Sequence, residues 1–277
     1  MLCQDQILLH AEASSQALEA DHVVLCRWLS ETAPMSRPER WSDASAALTA
    51  ALQLRTPPIA ITFSGSAPAG VAPFDAPMPE PTPDGRTGRV SAGCVFWTKA
   101  VERTFSTVAA DHGNCSVGSL THGFATLDEV AGRADVAALL ESGWVTMAMI
   151  PGIPVVVDRP DFVTYGPLAQ TPVDPDVVLI RINGKQLMVL ADALPGLRIE
   201  GKPQCHIVAV AKQQGEVAVS VGCTLSRART AMPSAEMTCA IPAGRLEDLV
   251  DRIQATATTD AAVASYAAQD ARRFVGA

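Results

Sequence analysis

The stretch VVLIRINGKQLMVL, residues 177–190, holds two apolar runs separated by Asn183-Gly184. Asparagine and glycine accept the positive φ angles of a two-residue hairpin turn, so the stretch predicts strands over 177–182 and 186–190 paired antiparallel. On the C-terminal side, residues 205–212 read as a short helix or strand, and 216–221 as a strand leading into Gly222-Cys223. A helix is predicted from Thr224. Met237, Cys239 and Ile241 alternate as a strand that Pro242 ends, with Cys239 a core residue. Leu246, Leu249, Val250 and Ile253 mark an amphipathic helix, and a last alanine-rich helix is expected from about Asp260.

On the N-terminal side, Tyr165-Gly-Pro-Leu168 reads as a turn and residues 144–150 as a strand. Thr126 and Glu129 form a capping-box pattern for a helix that Gly143 can close. Residues 95–105 have helical spacing. Residues 64–89 are rich in Pro, Gly and Ala, a long loop of the functional or mobile kind. Ile59-Ala-Ile-Thr-Phe63 reads as a buried strand after Pro57-Pro58. Ser42 caps a helix running to Leu54, with Ala44, Leu48, Ala51 and Leu52 on one face. Residues 1–34 read as an extension with a marginal helix ended by Pro34, and Met35 could equally be the start. Without βαβ periodicity, the pattern predicts α+β, a mixed and largely antiparallel sheet with flanking helices, as one domain over 35–277.

The 277 residues are 48% hydrophobic and 18% charged, enough for a substantial core, and the formal net charge is −8. No run of Lys and Arg offers a basic face, which disfavours nucleic acid as a partner. Mean hydropathy is +0.19. The longest apolar stretch, residues 144–157, is broken by Pro151, Gly152 and Pro154, so no membrane span is expected. His10, Glu12, Glu19, Asp21 and His22 interrupt any export signal, which predicts a cytoplasmic protein. In that compartment seven cysteines are buried small hydrophobes or thiolates with a chemical role, not a disulfide framework.

Four cysteines share a context. Cys94 and Cys223 each follow a glycine and precede a predicted helix, Cys115 sits in a glycine loop, and Cys205 follows Lys202-Pro203-Gln204. Glycine lets the backbone approach a bulky group, and a helix N-terminus favours a thiolate, as in soft-ligand metal and cluster sites. No pair is spaced CxxC, so scattered buried thiols remain the alternative. Cys26 reads as buried or incidental; Cys3 is uninformative. Asp111-His112-Gly-Asn-Cys115, with His122 after it, places two imidazoles near one thiol: Cys115 as a nucleophile with His112 as base, or a loop ordered by His112 and Asp111. His206 reads as a core histidine. Lys99, Arg227 and Arg229 are candidates to hold an anionic substrate, or solvated charges. Walker, dinucleotide-binding, zincin and serine-hydrolase signatures are missing.

Tyr165-Gly-Pro-Leu168 followed by Asp176-Val-Val-Leu-Ile180 resembles the domain of unknown function family 169, prokaryotic proteins with many archaeal and anaerobic members. So do Cys205 with its small apolar tract, Gly222-Cys223-x-x-Ser226-Arg227, and Glu236 to Pro242 with a closing helix. The helix from Ser42, the strand after Pro57-Pro58 and Gly93-Cys94 fall where that family would have them. The resemblance covers about residues 40–255. It implies an iron–sulfur cluster held by Cys94, Cys115, Cys205 and Cys223. His206 after Cys205, and Thr224-Leu225 where a glycine is frequent, depart from the pattern.

The resulting expectation is a [4Fe–4S] protein, with zinc the alternative metal. It would act on a small anionic substrate by Lewis-acid chemistry of a lyase, hydratase or sulfur-transfer kind, with His112 moving a proton and Arg227 positioning the substrate. A metal-free cysteine enzyme using Cys115 and His112, and a non-catalytic zinc or redox-sensing module, are the other two classes. The alanine-rich C-terminal helix could serve a homodimer.

Overall fold

In the computed structural model, residues 37–75, 92–201, 203–230 and 232–275 are described. The extension over 1–34, Cys3, Cys26 and most of the Pro/Gly/Ala-rich loop lie outside them. Strand β4 (Val177–Ile182) shows how the sheet is built. Val177 and Leu179 face one apolar cluster, while Val178, Ile180 and Ile182 face the other, as period-two alternation requires. With both faces covered, the strand is apolar throughout except Arg181.

Around β4 lie β1 (Ile59–Ser64), β2 (Phe105–Thr107), β3 (Phe162–Pro167), β5 (Arg198–Glu200), β6 (Ala218–Ser220) and β7 (Met237–Pro242). The order is β2-β3-β1-β4-β7-β6-β5, and all neighbours are antiparallel except β5 and β6. The fold is therefore α+β with a mixed, mostly antiparallel sheet.

On one face pack helices α1 (Arg37–Leu52), α6 (Gly184–Ala193) and α9 (Leu246–Val275). Trp41, Ala44, Leu48 and Leu52 form the buried stripe of α1, and the Trp41 indole donates to Asp174 Oδ1 at 2.9 Å. Cys239 lies in this core with Ile241 and is fully buried, as its alternation indicates. The other face carries α2 (Gly93–Lys99) and α7 (His206–Gln214), burying Phe96, Trp97, Ile207 and Val208 over Ile61, Tyr165 and Leu179. Short helices α3 (Ser116–Thr121), α4 (Leu127–Ala131), α5 (Ala134–Glu141) and α8 (Thr224–Thr230) complete the described elements with several 3-10 turns.

Several sequence expectations are corrected. Asn183-Gly184 makes no hairpin. Asn183 caps α6: Gln186 N–H donates to Asn183 Oδ1 and Asn183 N–H to Gln186 Oε1, so residues 186–190 are helical. Residues 144–150 form no strand but lead into a 3-10 turn, Met147–Gly152. Tyr165-Gly166-Pro167 ends strand β3 rather than forming a turn. The Thr126–Glu129 capping box is present, but the predicted helix breaks into α4 and α5 near Gly132. Helix α1 begins before Ser42. Helix α2 ends at Lys99, and α9 runs unbroken past Asp260. No helix among the described residues is long and apolar enough to cross a membrane.

Candidate functional site

Four helix starts meet on the α2–α7 face. Cys94 is the second residue of α2, Cys115 and Cys205 are the N-caps of α3 and α7, and Cys223 immediately precedes α8. The carbonyls of Cys115, Cys205 and Cys223 accept from Ser119, Val208 and Arg227, opening each helix. Each thiol thus lies beside backbone N–H groups that have no intrahelical partner and carry the positive end of the helix dipole. All four line one narrow cleft, together with Trp144, Gln204, Ser226 and Arg229.

Local contacts hold each cysteine. The Ser116 N–H and hydroxyl both donate to Asp135, at 2.8 and 2.6 Å, fixing the start of α3 beside Cys115. The Gln204 amide donates to Thr238 Oγ1 at 2.9 Å, tying the turn before Cys205 to β7. Gly222 adopts φ +122°, a region an L side chain rarely takes, and turns the chain into Cys223. The Arg227 guanidinium clamps this turn through the carbonyls of Val221, Pro233 and Glu236. Arg227 is thus a structural clamp and does not line the cleft; Arg229, two residues on, does. Lys99 does not line the cleft either.

Burial raises the Cys94 thiol, partly offset by the adjacent Ser226 hydroxyl, while charge on Cys115 and Cys223 pushes it further up. Burial likewise pushes Cys205 well above the ordinary thiol range, with Thr121 its hydrogen-bonding neighbour and the other three thiols contributing. Arg229 lies against Cys115 and Cys94. Burial alone would weaken its charge, but the two sulfurs outweigh that and raise its pKa. It also donates to the Asn114 carbonyl at 3.0 Å. The thiols form one electrostatic unit with a cation at its edge.

His112 is not part of that unit. Its ring is fully buried among Phe96, Phe124, His122 and Tyr165. The Thr107 hydroxyl donates to the Val163 carbonyl and therefore accepts from His112 Nε2–H, leaving Nδ1 bare. Burial, and then the neighbouring His122, hold its pKa well below the usual value. The ring's contacts are to Thr107 and this aromatic cluster, and the structure does not pair it with Cys115. Asp111 accepts from Val108 N–H and orders the loop. His122 lies nearer the thiols. Its Nδ1–H donates to the Gly118 carbonyl at 2.9 Å, and its bare Nε2 faces Gly93 with the unpartnered Trp97 indole N–H. A Cβ on Gly93 would come within 3.2 Å of the His122 ring, which explains glycine before Cys94. His206 is buried with its pKa lowered to about 4 by burial and by the charge of Arg198. Cys239, on the opposite face, is pushed up to about 12 by burial.

Among the described residues no three His, Cys, Asp or Glu side chains are grouped to hold a single metal ion. A single zinc holds thiolates at about 2.3 Å, which brings their sulfurs within roughly 4 Å of one another. Soft donors only, with positive helix ends behind them, match the chemistry of an iron–sulfur cluster. Ser226, Gln204, Trp97, His122 and Arg229 complete the surroundings. Ser226 was readable as one helical turn after Cys223. Gln204 and Trp97 carry no local signal that separates them from core residues.

No curated protein and no solved structure matches the chain. The profile of one family, the domain of unknown function family 169, described as "Uncharacterised ArCR", matches residues 47–252. Its span takes in all four cleft cysteines, the capped helix α6 and every strand of the sheet, and the chain belongs to that family.

Proposed function

We propose that the protein binds a [4Fe–4S] cluster through Cys94, Cys115, Cys205 and Cys223 and acts on a small anionic substrate beside it. The observation that carries this reading is the convergence of four thiols, each at a helix start, on one cleft. If only three of the four thiols ligate it, the fourth iron is left open and the cluster would supply a Lewis acid. The chain's own residues supply the rest. Ligation requires thiolates, so the protons that burial retains on Cys94 and Cys205 leave as the group binds. Arg229 neutralises part of the resulting charge at the mouth. An open groove lined by Arg133, Asn114, Asp135, Leu225 and Arg229 adjoins that mouth, and its two guanidinium groups, against the one carboxylate of Asp135, can receive an anion. His122, neutral and buried beside Gly93, holds an acceptor lone pair behind Cys94.

The test is anaerobic purification with iron, sulfide and zinc assays beside the visible spectrum. Brown protein with about four irons and four sulfides per chain, lost in Cys115→Ser and Cys223→Ser, supports the assignment. Full cluster content in both variants overturns it. Colourless zinc-loaded protein would favour a non-catalytic zinc module instead.

A further inference from the structure

The groove beside the thiol cleft holds about 560 Å³, a size common among small-molecule sites, and three charged side chains line it. Arg133 is the N-cap of α5, Asp135 is the second residue of that helix, and Arg229 comes from α8. The Ser116 N–H and hydroxyl take one lone pair on each Asp135 oxygen, at 2.8 and 2.6 Å. That fixes the carboxylate and leaves each oxygen able to accept again. Arg229 gives one N–H to the Asn114 carbonyl and lies against Cys115 and Cys94, with further donors of its five left over. No carboxylate among the described residues forms an ion pair with Arg133 or Arg229, although Asp135 lines the same groove. Ala138, Leu139 and Leu225 make the rest of the wall largely apolar.

Two guanidinium groups and one carboxylate that do not neutralise one another specify a ligand by its charges. A monocarboxylate answers one arginine and leaves the other. A plain dicarboxylate answers both but sets negative charge against Asp135, and an ammonium group on the same ligand removes that conflict. We infer that the groove binds an amino dicarboxylate, that is, an acidic α-amino acid. Its two carboxylates meet Arg133 and Arg229, its ammonium donates to Asp135, and its methylenes lie on the apolar wall. The inference rests on the groove being the substrate site proposed above, and names the class of that anion. Leu225 and Arg229 line the groove and the thiol cleft alike, so a ligand held there lies next to the thiols without entering the narrow cleft.

Isothermal titration of the full chain with L-glutamate and L-aspartate tests it. Each acid is compared with the dicarboxylate lacking the ammonium group, glutarate or succinate, and with its side-chain amide, L-glutamine or L-asparagine. One of the two acids should bind saturably, roughly tenfold or more tighter than both of its analogues. Arg133→Gln and Arg229→Gln should each weaken that acid by a similar factor, and Asp135→Asn should abolish its advantage over the dicarboxylate. Circular dichroism identifies a variant that has lost its fold, and Arg133→Gln, at a half-buried position outside the core, then carries the result. Absence of saturable binding by either acid, equal binding of the dicarboxylate or the amide, or unchanged affinity in Arg133→Gln overturns the proposal. Iron and sulfide assays on the same samples read the cluster separately. Colourless, iron-free protein that binds the acid keeps this inference and sinks the cluster; cluster-loaded protein that ignores both acids does the reverse.

Discussion

His122 shows what burial does to one side chain here. Burial lowers its pKa from 6.5 to about 4, against a smaller opposing effect of the Gly118 carbonyl. The unfolded chain therefore takes up its proton first as pH falls below about 6.5, and the folded state loses stability until pH reaches about 4. Over that window the loss from this residue is roughly 3 kcal/mol. Urea unfolding at pH 7 and pH 5 should show it as a lower midpoint at pH 5. His122→Asn, which keeps a donor for the Gly118 carbonyl, should reduce the dependence, leaving the part due to His112 and His206. The two arginines after Cys223 divide in the same residue-by-residue way. Arg227→Met leaves three carbonyls without their guanidinium donor and should cost about 1–2 kcal/mol in a urea melt. Arg229→Gln should leave that melt nearly unchanged and weaken anion binding at the groove, read by titration with inorganic phosphate. The sequence could nominate both arginines, but not which one faced the thiols, because that depends on where Gly222 turns the chain.

At the scale of elements, Asn183-Gly184 is the instructive case. The pair suits a hairpin turn, yet Gln186 three residues after Asn183 completes a capping box, and Gln186, Val189, Leu190 and Ala193 bury at helical spacing. Gln186 also donates from its amide to the Leu52 carbonyl at the end of α1, at 2.8 Å. Asn183→Ala should cost about 1 kcal/mol by loss of the cap, measured by chemical denaturation. Gly166 in β3 belongs to the same scale. A Cβ there would lie 2.3 Å from Thr104 Oγ1 and 3.0 Å from its Cα, so Gly166→Ala should lower the melting temperature by several degrees as β3 shifts against that loop. Long periodic elements such as α1 and β4 were legible from apolar spacing. The three-residue strands β2 and β5 were not: unlike β6, which lies in the apolar run 216–221, they are flanked by polar and charged residues that read as loop.

For the whole molecule, the α+β class and a mostly antiparallel sheet were readable from the alternation of element types. The strand order was not, because it depends on long-range pairing such as β1 inserting between β3 and β4. The four cysteines were singled out by local context, whereas their meeting in one cleft needed the fold to close. Leu48 is fully buried where α1 packs on the sheet, and Leu48→Ala should cost about 2–5 kcal/mol in denaturant unfolding while leaving the thiol face in place. The sequence positions of the thiols have a further consequence for the chain as a polymer. Cys94, Cys115, Cys205 and Cys223 enclose loops of very different length, the longest running from 115 to 205 and containing α3, α4, α5, β3, β4, α6 and β5. Any single body gripped by all four acts as a cross-link that removes configurational freedom from the unfolded ensemble. Stripping it from the folded protein would loosen a span of more than a hundred residues at once, so its departure would be felt as a drop in global cooperativity rather than as a local change at the cleft.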